Sequence, residues 1–409
     1  MSLERYIPFR KSDIVTMCQS LFSQQEQSSF REFSDLFASI IHFEYHKQLD
    51  DLKDNYAPFD PNADTYLIKH LTEEDKLICQ KRFATAFANV LNAANYEVIT
   101  DQDLKDALNE ESLFKVRLAV SFDDFAEVVF YRRGMSIKEE ILRTWWGLKK
   151  QTISFTNYDR VAVFIRFKDE AYFKNCNKKP LGFEPGSTII KLFQNVPKAD
   201  LEMLFPNSEV RMRPIDKFII SASAAIGGAV VLVTKLGASI VLLIALLSFW
   251  LGLRDENVEF TQQHMLSLGI GLGVFGSFIF KEWSKFKNRK IKFMKALSDN
   301  LYFKNLDNNA GVFHTLIDAA EEEDCKEAII AYTFLLKQKQ PVSATELDFA
   351  IEQWFENSYH CKLDFEISDA LEKLVRFDLA KVEHGKYQAV TLNQAKQTLD
   401  ARWDNFYQY

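Results

Sequence analysis

Residues 305–328, NLDNNAGVFHTLIDAAEEEDCKEA, set a polar turn, an apolar helical stripe and a run of carboxylates side by side, and their reading decides how the C-terminal part of the chain is built. Phe313, Leu316, Ile317 and Ala320 recur at three- and four-residue spacing, which puts them on one face of a helix starting near Val312. His314, Asp318, Glu321 and Glu322 fall on the other face. A histidine and carboxylate row of this kind can bind a divalent cation inside a bundle, which makes His314, Asp318 and Glu322 the candidate metal ligands. All of them come from one helix, however, and metal sites in bundles draw ligands from facing helices. The simpler reading is that Asp307, Asn308, Asn309 and Gly311 supply turn and cap chemistry, and that the acidic face answers the basic helix preceding it.

That basic helix runs over 281–304, where eight Lys/Arg stand against Glu282 and Asp299. Upstream of it lie two apolar runs. The first, 218–253, carries Lys235 as its only charge; the second, 265–280, follows the polar loop RDENVEFTQQH. A helical span takes roughly 17 to 25 apolar residues, so these runs predict a transmembrane helical hairpin with spans at about 236–253 and 265–280. Residues 218–234 either extend the first helix or lie at the interface, and a third span is the alternative. Basic flanks on both outer sides and an acidic loop between place both soluble parts on the cytoplasmic side by the positive-inside rule.

Small residues recur on these segments. Gly269, Gly273 and Gly276 on one, with Ala224 and Gly228 on the other, suit close helix packing within the hairpin or between copies of the chain. Lys285, Lys287, Arg289, Lys290 and Lys292, interleaved with Trp283, Phe286 and Phe293, suit contact with anionic lipid headgroups. Neither span has a mid-membrane charge, which argues against a transporter.

The domain division that follows is 1–212 as an α+β soluble domain, 213–281 as the membrane region, 282–311 as a basic juxtamembrane helix and turn, and 312–409 as a helical, winged-helix-like domain. The fold class expected is thus an α+β membrane protein. In the first domain, helical periodicity marks 14–22, 30–49 and 76–91, with Thr100 or Asp101 capping a short helix after them. FAEVVFYRR, QTISFTNYD and RVAVFIRFK read as strands, and Asn157-Tyr158-Asp159 suggests a hairpin between the last two. In the last domain, three helices precede a hairpin turning at His384-Gly385, the order of a winged helix. From Cys325 to Tyr409 ten Lys/Arg face thirteen Asp/Glu, a surface ill suited to phosphates, so no nucleic-acid partner is expected.

The net charge of −7 points the same way. Five cysteines lie far apart without a CxxC pair, as free thiols in a reducing compartment do. His42 and His46 of HFEYH, with Asp50 one turn on, share a helical face but lack a third ligand of metal-site spacing, so a solvated face is the expectation. No P-loop, dinucleotide-binding turn, GxSxG or HExxH occurs, and no cofactor or catalytic residue is expected.

RYIPFRKSD near the start, KLFQNVPKADLEMLFPNSEVRMRPIDK, the segment from FKNRKIKFMKALSDN through DCKEA, and LDARWDNFY at the end resemble the domain of unknown function 3754 family, the transmembrane protein 143-like proteins. The resemblance implies a membrane-anchored protein of unknown role, and it carries no catalytic residue over to this chain. Its organellar members carry import sequences, whereas MSLERYIPFRKSD has neither a signal-peptide core nor a transit-peptide composition. A bacterial inner membrane with both termini cytoplasmic is therefore expected, or a mitochondrial membrane in a eukaryote. The functional expectation is a non-enzymatic membrane-anchored adaptor or scaffold that meets a protein partner or a second copy of itself. The alternative is a membrane-bound metal-dependent enzyme or sensor using the α+β domain or the His314, Asp318, Glu322 row.

Overall fold

The structure is a computed structural model, and it describes residues 5–68, 71–109, 117–144, 149–178, 183–211, 222, 225–226, 229–230, 237–252 and 261–407. In chain order the elements are α1 (Lys11–Gln19), α2 (Gln27–Tyr56), α3 (Glu73–Ala93), β1 (Glu97–Val98), α4 (Asp101–Asn109), β2 (Arg117–Ala119), β3 (Phe125–Thr144), β4 (Lys149–Phe167), α5 (Glu170–Asn175), β5 (Thr188–Pro197) and β6 (Glu209–Arg211). They continue with α6 (Gly237–Trp250), α7 (Gln262–Lys304), β7 (Asn305–Asn308), α8 (Ala310–Lys337), β8 (Val342–Ser343), α9 (Ala344–Tyr359), α10 (Ile367–Arg376), β9 (Ala380–Glu383), β10 (Lys386–Ala389) and α11 (Leu392–Asp404).

These elements form two compact units. One gathers residues 1–109, 122–201 and 304–409; the other gathers 110–121 and 202–303. The first unit joins segments from both ends of the chain around one apolar core, to which α1, α2, α3, β4, β5, α8, α9 and α10 all contribute. Phe313 of α8 sits at the centre of an aromatic cluster, with Tyr56, Phe83 and Phe87 at ring-centroid distances of 5.2, 5.6 and 6.1 Å. Offset and edge-on arrangements of this kind add to the burial of large rings.

The sheet of this unit has the order β1-β3-β4-β5-β7, with every pair antiparallel. The hairpin expected at Asn157-Tyr158-Asp159 does not form. β4 passes straight through it, with Asn157 opposite Ser136 and Pro197, and Tyr158 opposite Met135 and Val196. Left-handed residues stand beside it on both neighbouring strands, Gly134 at φ +74° against Asp159 and Asn195 at φ 52°. Strands on both sides pair with Asn157 and Tyr158, so the chain continues as a strand where a turn was expected.

The C-terminal elements follow the winged-helix order of helix, short strand, two helices and a two-stranded wing, with a three-stranded sheet ordered β8-β10-β9. His384 (φ 52°) and Gly385 (φ 75°) make the tight turn between β9 and β10, two left-handed residues as a two-residue hairpin requires. Ser343 with Glu346 and Thr391 with Gln394 form reciprocal capping boxes that start α9 and α11.

The second unit contains the β2–β6 pair, α6 and α7. Here the membrane expectation is overturned: among the described residues, no helix is long and apolar enough to cross a membrane. α6 has 14 residues, about 21 Å at 1.5 Å per residue, against a hydrocarbon core of about 30 Å. α7 has 43 residues, but its apolar run ends at Phe280, after which Lys281, Lys285 and Lys287 follow on the same helix. The transmembrane hairpin with spans at 236–253 and 265–280, the classification as a membrane protein, and the integral inner-membrane or mitochondrial localisation are not supported. Residues 231–236, with Lys235, and positions 224 and 228, with Ala224 and Gly228, lie outside the described residues.

Candidate functional site: the charged centre of the long C-terminal helix

The quoted stretch becomes a strand and a helix. Residues 305–308 form β7 and pair with Lys191–Phe193 of β5. Asn309 then turns the chain with φ 49° and ψ −124°. Its side chain does not cap α8, contrary to the cap expected from the DNNAG run; its Oδ1 accepts the Ile190 N–H at 3.1 Å instead. Asp307 accepts from the Thr315 hydroxyl one turn into the helix.

From Glu321 onward α8 carries its carboxylates into the interior of the first unit. Glu323 is fully buried and accepts three bonds: from Arg133 of β3 at 2.7 Å, from Lys326 at 2.8 Å and from the backbone N–H of Ile7 at 3.1 Å. The Lys326 ammonium donates to Glu323, to the Ile7 carbonyl at 2.9 Å and to the Phe9 carbonyl at 3.1 Å, which fills its three donors. Asp324 accepts from the Tyr45 hydroxyl of α2 at 2.7 Å and lies 2.6 Å from the Lys373 ammonium of α10. Glu327 accepts from Asn95 at 2.9 Å and from Lys373 at 3.4 Å.

At the rim of this network Glu322 accepts the Lys11 N–H at 2.9 Å. Glu321 faces the Lys11 ammonium at 3.4 Å and the His42 ring at 2.7 Å, and Arg5 pairs with Glu366. The acidic run thus draws together the N-terminal segment, α2, Asn95, β3 and α10. Three buried carboxylates, Glu323, Asp324 and Glu327, meet three cations, Arg133, Lys326 and Lys373.

Burial sets the ionisation of these groups. Burial pushes the Glu327 carboxyl up to about 8, against the pull of Lys373 and the Asn95 hydrogen bond. Asp324 is raised for the same first cause, against Lys373 and Tyr45. Burial would lower Lys373, but the charges of Glu327 and Asp324 outweigh it and its ammonium is held above its ordinary range. The Cys325 thiol, buried beside this network, is pushed up to about 12 and is an inert core group. Among the described residues each charged side chain of the network faces a group of opposite charge.

The metal row expected at His314, Asp318 and Glu322 does not assemble. His314 and Asp318 are exposed, and Glu322 is engaged with Lys11. Among the described residues no three His, Cys, Asp or Glu side chains come together to hold a metal ion. His42 turns to Glu321, and His46 stands 3.8 Å from Asp50. A methyl group at Gly269, Gly273 or Gly276 would meet nothing within 4 Å, and Lys285, Lys287 and Lys292 are exposed along α7. Lys287 lies 4.1 Å above the Trp283 ring.

Sequence reasoning missed Arg133, Asn95 and Lys373, because nothing local links them to the acidic run. A signal was present in Lys326, a lone cation three residues from Glu323 inside the acidic run, just before the helix turns apolar at Ala328. It also missed a cleft of about 670 Å³ between α3 and the end of β4, whose Arg166 pairs with Glu127 at 3.2 Å and whose Lys76 pairs with Glu73 at 2.8 Å.

No solved structure matches the chain. Residues 158–311, from within β4 to the start of α8, match the family described as protein of unknown function, DUF3754. Through that region, less than half of the chain, the sequence is similar to that family.

Proposed function

We propose that the chain is a non-enzymatic interaction scaffold. The observation that carries this reading is the closure of its densest ionisable cluster: Glu323, Asp324 and Glu327 face Arg133, Lys326 and Lys373, and the geometry serves to join distant segments of chain. A catalytic centre needs a reactive group with room for a substrate beside it. The winged-helix-like part supports the same view. The basic residues of α10, the helix in the position that reads nucleic acid in winged helices, face the chain's own acids, with Lys373 on Asp324 and Arg376 at 3.0 Å from Glu44 of α2.

Surface suited to partners is present on the helices of the second unit. Trp250 of α6 is 86 % exposed, and Leu247, Met265, Ile270, Phe280 and Trp283 are exposed with it. Apolar side chains exposed in this number favour association with another protein or a second copy of the chain. The exposed Lys285, Lys287 and Lys292 of α7 favour a peripheral contact with anionic headgroups, which requires no crossing of a bilayer.

The test has three arms on the purified full chain. Light scattering across a concentration series is expected to show reversible self-association, weakened by Trp283→Ala. Sedimentation with phosphatidylserine vesicles is expected to fall with rising salt and with Lys285→Glu. Turnover of any substrate that is abolished by a point change, or stoichiometric metal lost with His314→Ala, would overturn the scaffold reading in favour of an enzyme.

A further inference from the structure

The C-terminal end of the chain closes over α2 with a group of aromatic rings whose geometry is that of a cation receptor. Phe43 of α2 meets Phe406 edge to face, with centroids 4.2 Å apart and planes at 77°, and meets Tyr407 at 5.6 Å and 84°. Phe406 and Tyr407 are tilted at 49° to each other with centroids 6.5 Å apart, so both stand steeply against Phe43 and the three rings form the walls of a box. Into it projects the Lys47 ammonium, 4.8 Å from the Phe43 centroid, 5.0 Å from Phe406 and 5.4 Å from Tyr407. Each distance lies within the roughly 6 Å over which a ring face attracts a cation. Among the described residues no carboxylate forms an ion pair with Lys47, so the rings are what holds its charge.

We infer that this box is a binding site for a quaternary ammonium group, occupied in the free chain by Lys47. A primary ammonium is a strongly hydrated occupant, and Lys47 is exposed on a flexible four-carbon stem, so leaving the box restores its hydration at little structural cost. A quaternary ammonium is weakly hydrated, presents methyl groups to all three ring faces and is the cation for which aromatic boxes are selective. Trp403 packs against the outside of the box, 6.2 Å from both Phe43 and Phe406, and fixes the positions of two of its walls. The site uses none of the groups of the charged network of α8.

The test is calorimetric titration of the full chain with tetramethylammonium chloride at constant ionic strength, with ammonium chloride as the control cation. Lys47→Ala, which removes the internal competitor, is expected to bind tetramethylammonium at least tenfold more tightly than the native chain, and ammonium is expected to give no saturable heat in either. Tyr407→Leu in the Lys47→Ala background is expected to weaken binding at least tenfold; Tyr407 is exposed, so this variant tests the box without endangering the fold. Choline binding at similar strength, without sedimentation on phosphatidylcholine vesicles, would assign the free cation as ligand; sedimentation as well would assign the lipid headgroup. Equal affinity in the native chain and Lys47→Ala, equal response to ammonium, or insensitivity to Tyr407→Leu would each overturn the proposal.

Discussion

Asn309 and Ile190 exchange two hydrogen bonds. The Asn309 N–H donates to the Ile190 carbonyl at 2.7 Å, and the Ile190 N–H donates to the Asn309 side-chain Oδ1 at 3.1 Å. One asparagine therefore prolongs the β7–β5 ladder by a step while the main chain turns into α8. Both residues are buried, so neither group has water as a substitute.

Asn309→Ala is expected to destabilise the chain by about 2 to 4 kcal/mol, since it orphans a buried N–H and leaves a side chain at φ 49° without its compensating bond. Asn309→Asp keeps the acceptor and is expected to cost less. Urea unfolding followed by circular dichroism would rank the two; equal cost would refute the role of the side-chain oxygen.

Lys373→Met is expected to cost about 3 to 5 kcal/mol, because it strands Asp324 and Glu327 in the interior without their shared cation. Above pH 8, where Glu327 would otherwise carry one of the two stranded charges, adding Glu327→Gln should restore part of the loss. A double-mutant cycle measured by denaturant unfolding checks this, and strict additivity would contradict the coupling.

Stability is expected to fall as pH rises from about 4.5 to about 8. Glu327 titrates near 4.5 when unfolded and near 8 when folded, so across this window the folded chain holds a proton that the unfolded chain has lost. The slope from this one group is at most about 1.4 kcal/mol per pH unit. Below pH 4.5 its contribution is fully present, and it is lost by pH 8. In Glu327→Gln this component should vanish, leaving a flatter profile between those limits. Unfolding midpoints at several pH values would read it, and an unchanged slope in the variant would remove Glu327 as the cause.

Gly134→Ala places a methyl group 2.7 Å from the Asp159 Oδ2 and 3.0 Å from its Cβ, at a backbone φ of +74°. A cost of about 2 to 3 kcal/mol is expected from left-handed strain and overlap together. Combining it with Asp159→Gly relieves the overlap and leaves the strain. Thermal unfolding of the pair would separate the two contributions; no recovery in the double variant would show that the close approach is immaterial.

Gly273→Ala meets nothing within 4 Å and lies in the interior of α7, so the chain as a monomer is expected to gain up to about 1 kcal/mol of helix stability. If the glycine face packs against a second copy, the same change weakens self-association. Light scattering beside thermal unfolding distinguishes these results.

By itself the sequence determined the local elements. Residues near 14–22, 30–49 and 76–91 form α1, α2 and α3, Thr100 accepts the Asp103 N–H at the start of α4, and the His384-Gly385 turn and the helices of the winged-helix-like part form where their periodicity places them. The apolar face of Phe313, Leu316, Ile317 and Ala320 is buried as its spacing requires. These features rest on backbone periodicity and on cap and turn residues, all of which act within a few positions along the chain.

Only the tertiary structure decided what the carboxylates of α8 are for, that the two ends of the chain share one core, and that β4 runs through Asn157-Tyr158-Asp159 without turning. It also set aside the membrane hairpin: hydropathy measures how apolar a run is, whereas a crossing also needs an unbroken apolar helix of sufficient length, which α6 and α7 do not supply. The acidic run reads as a solvated face until Arg133, Lys373, Asn95 and the backbone of Ile7 are brought against it. Their separations in sequence carry no local signal, and the sign and strength of a buried charge depend on which neighbours the fold supplies and how completely they exclude water.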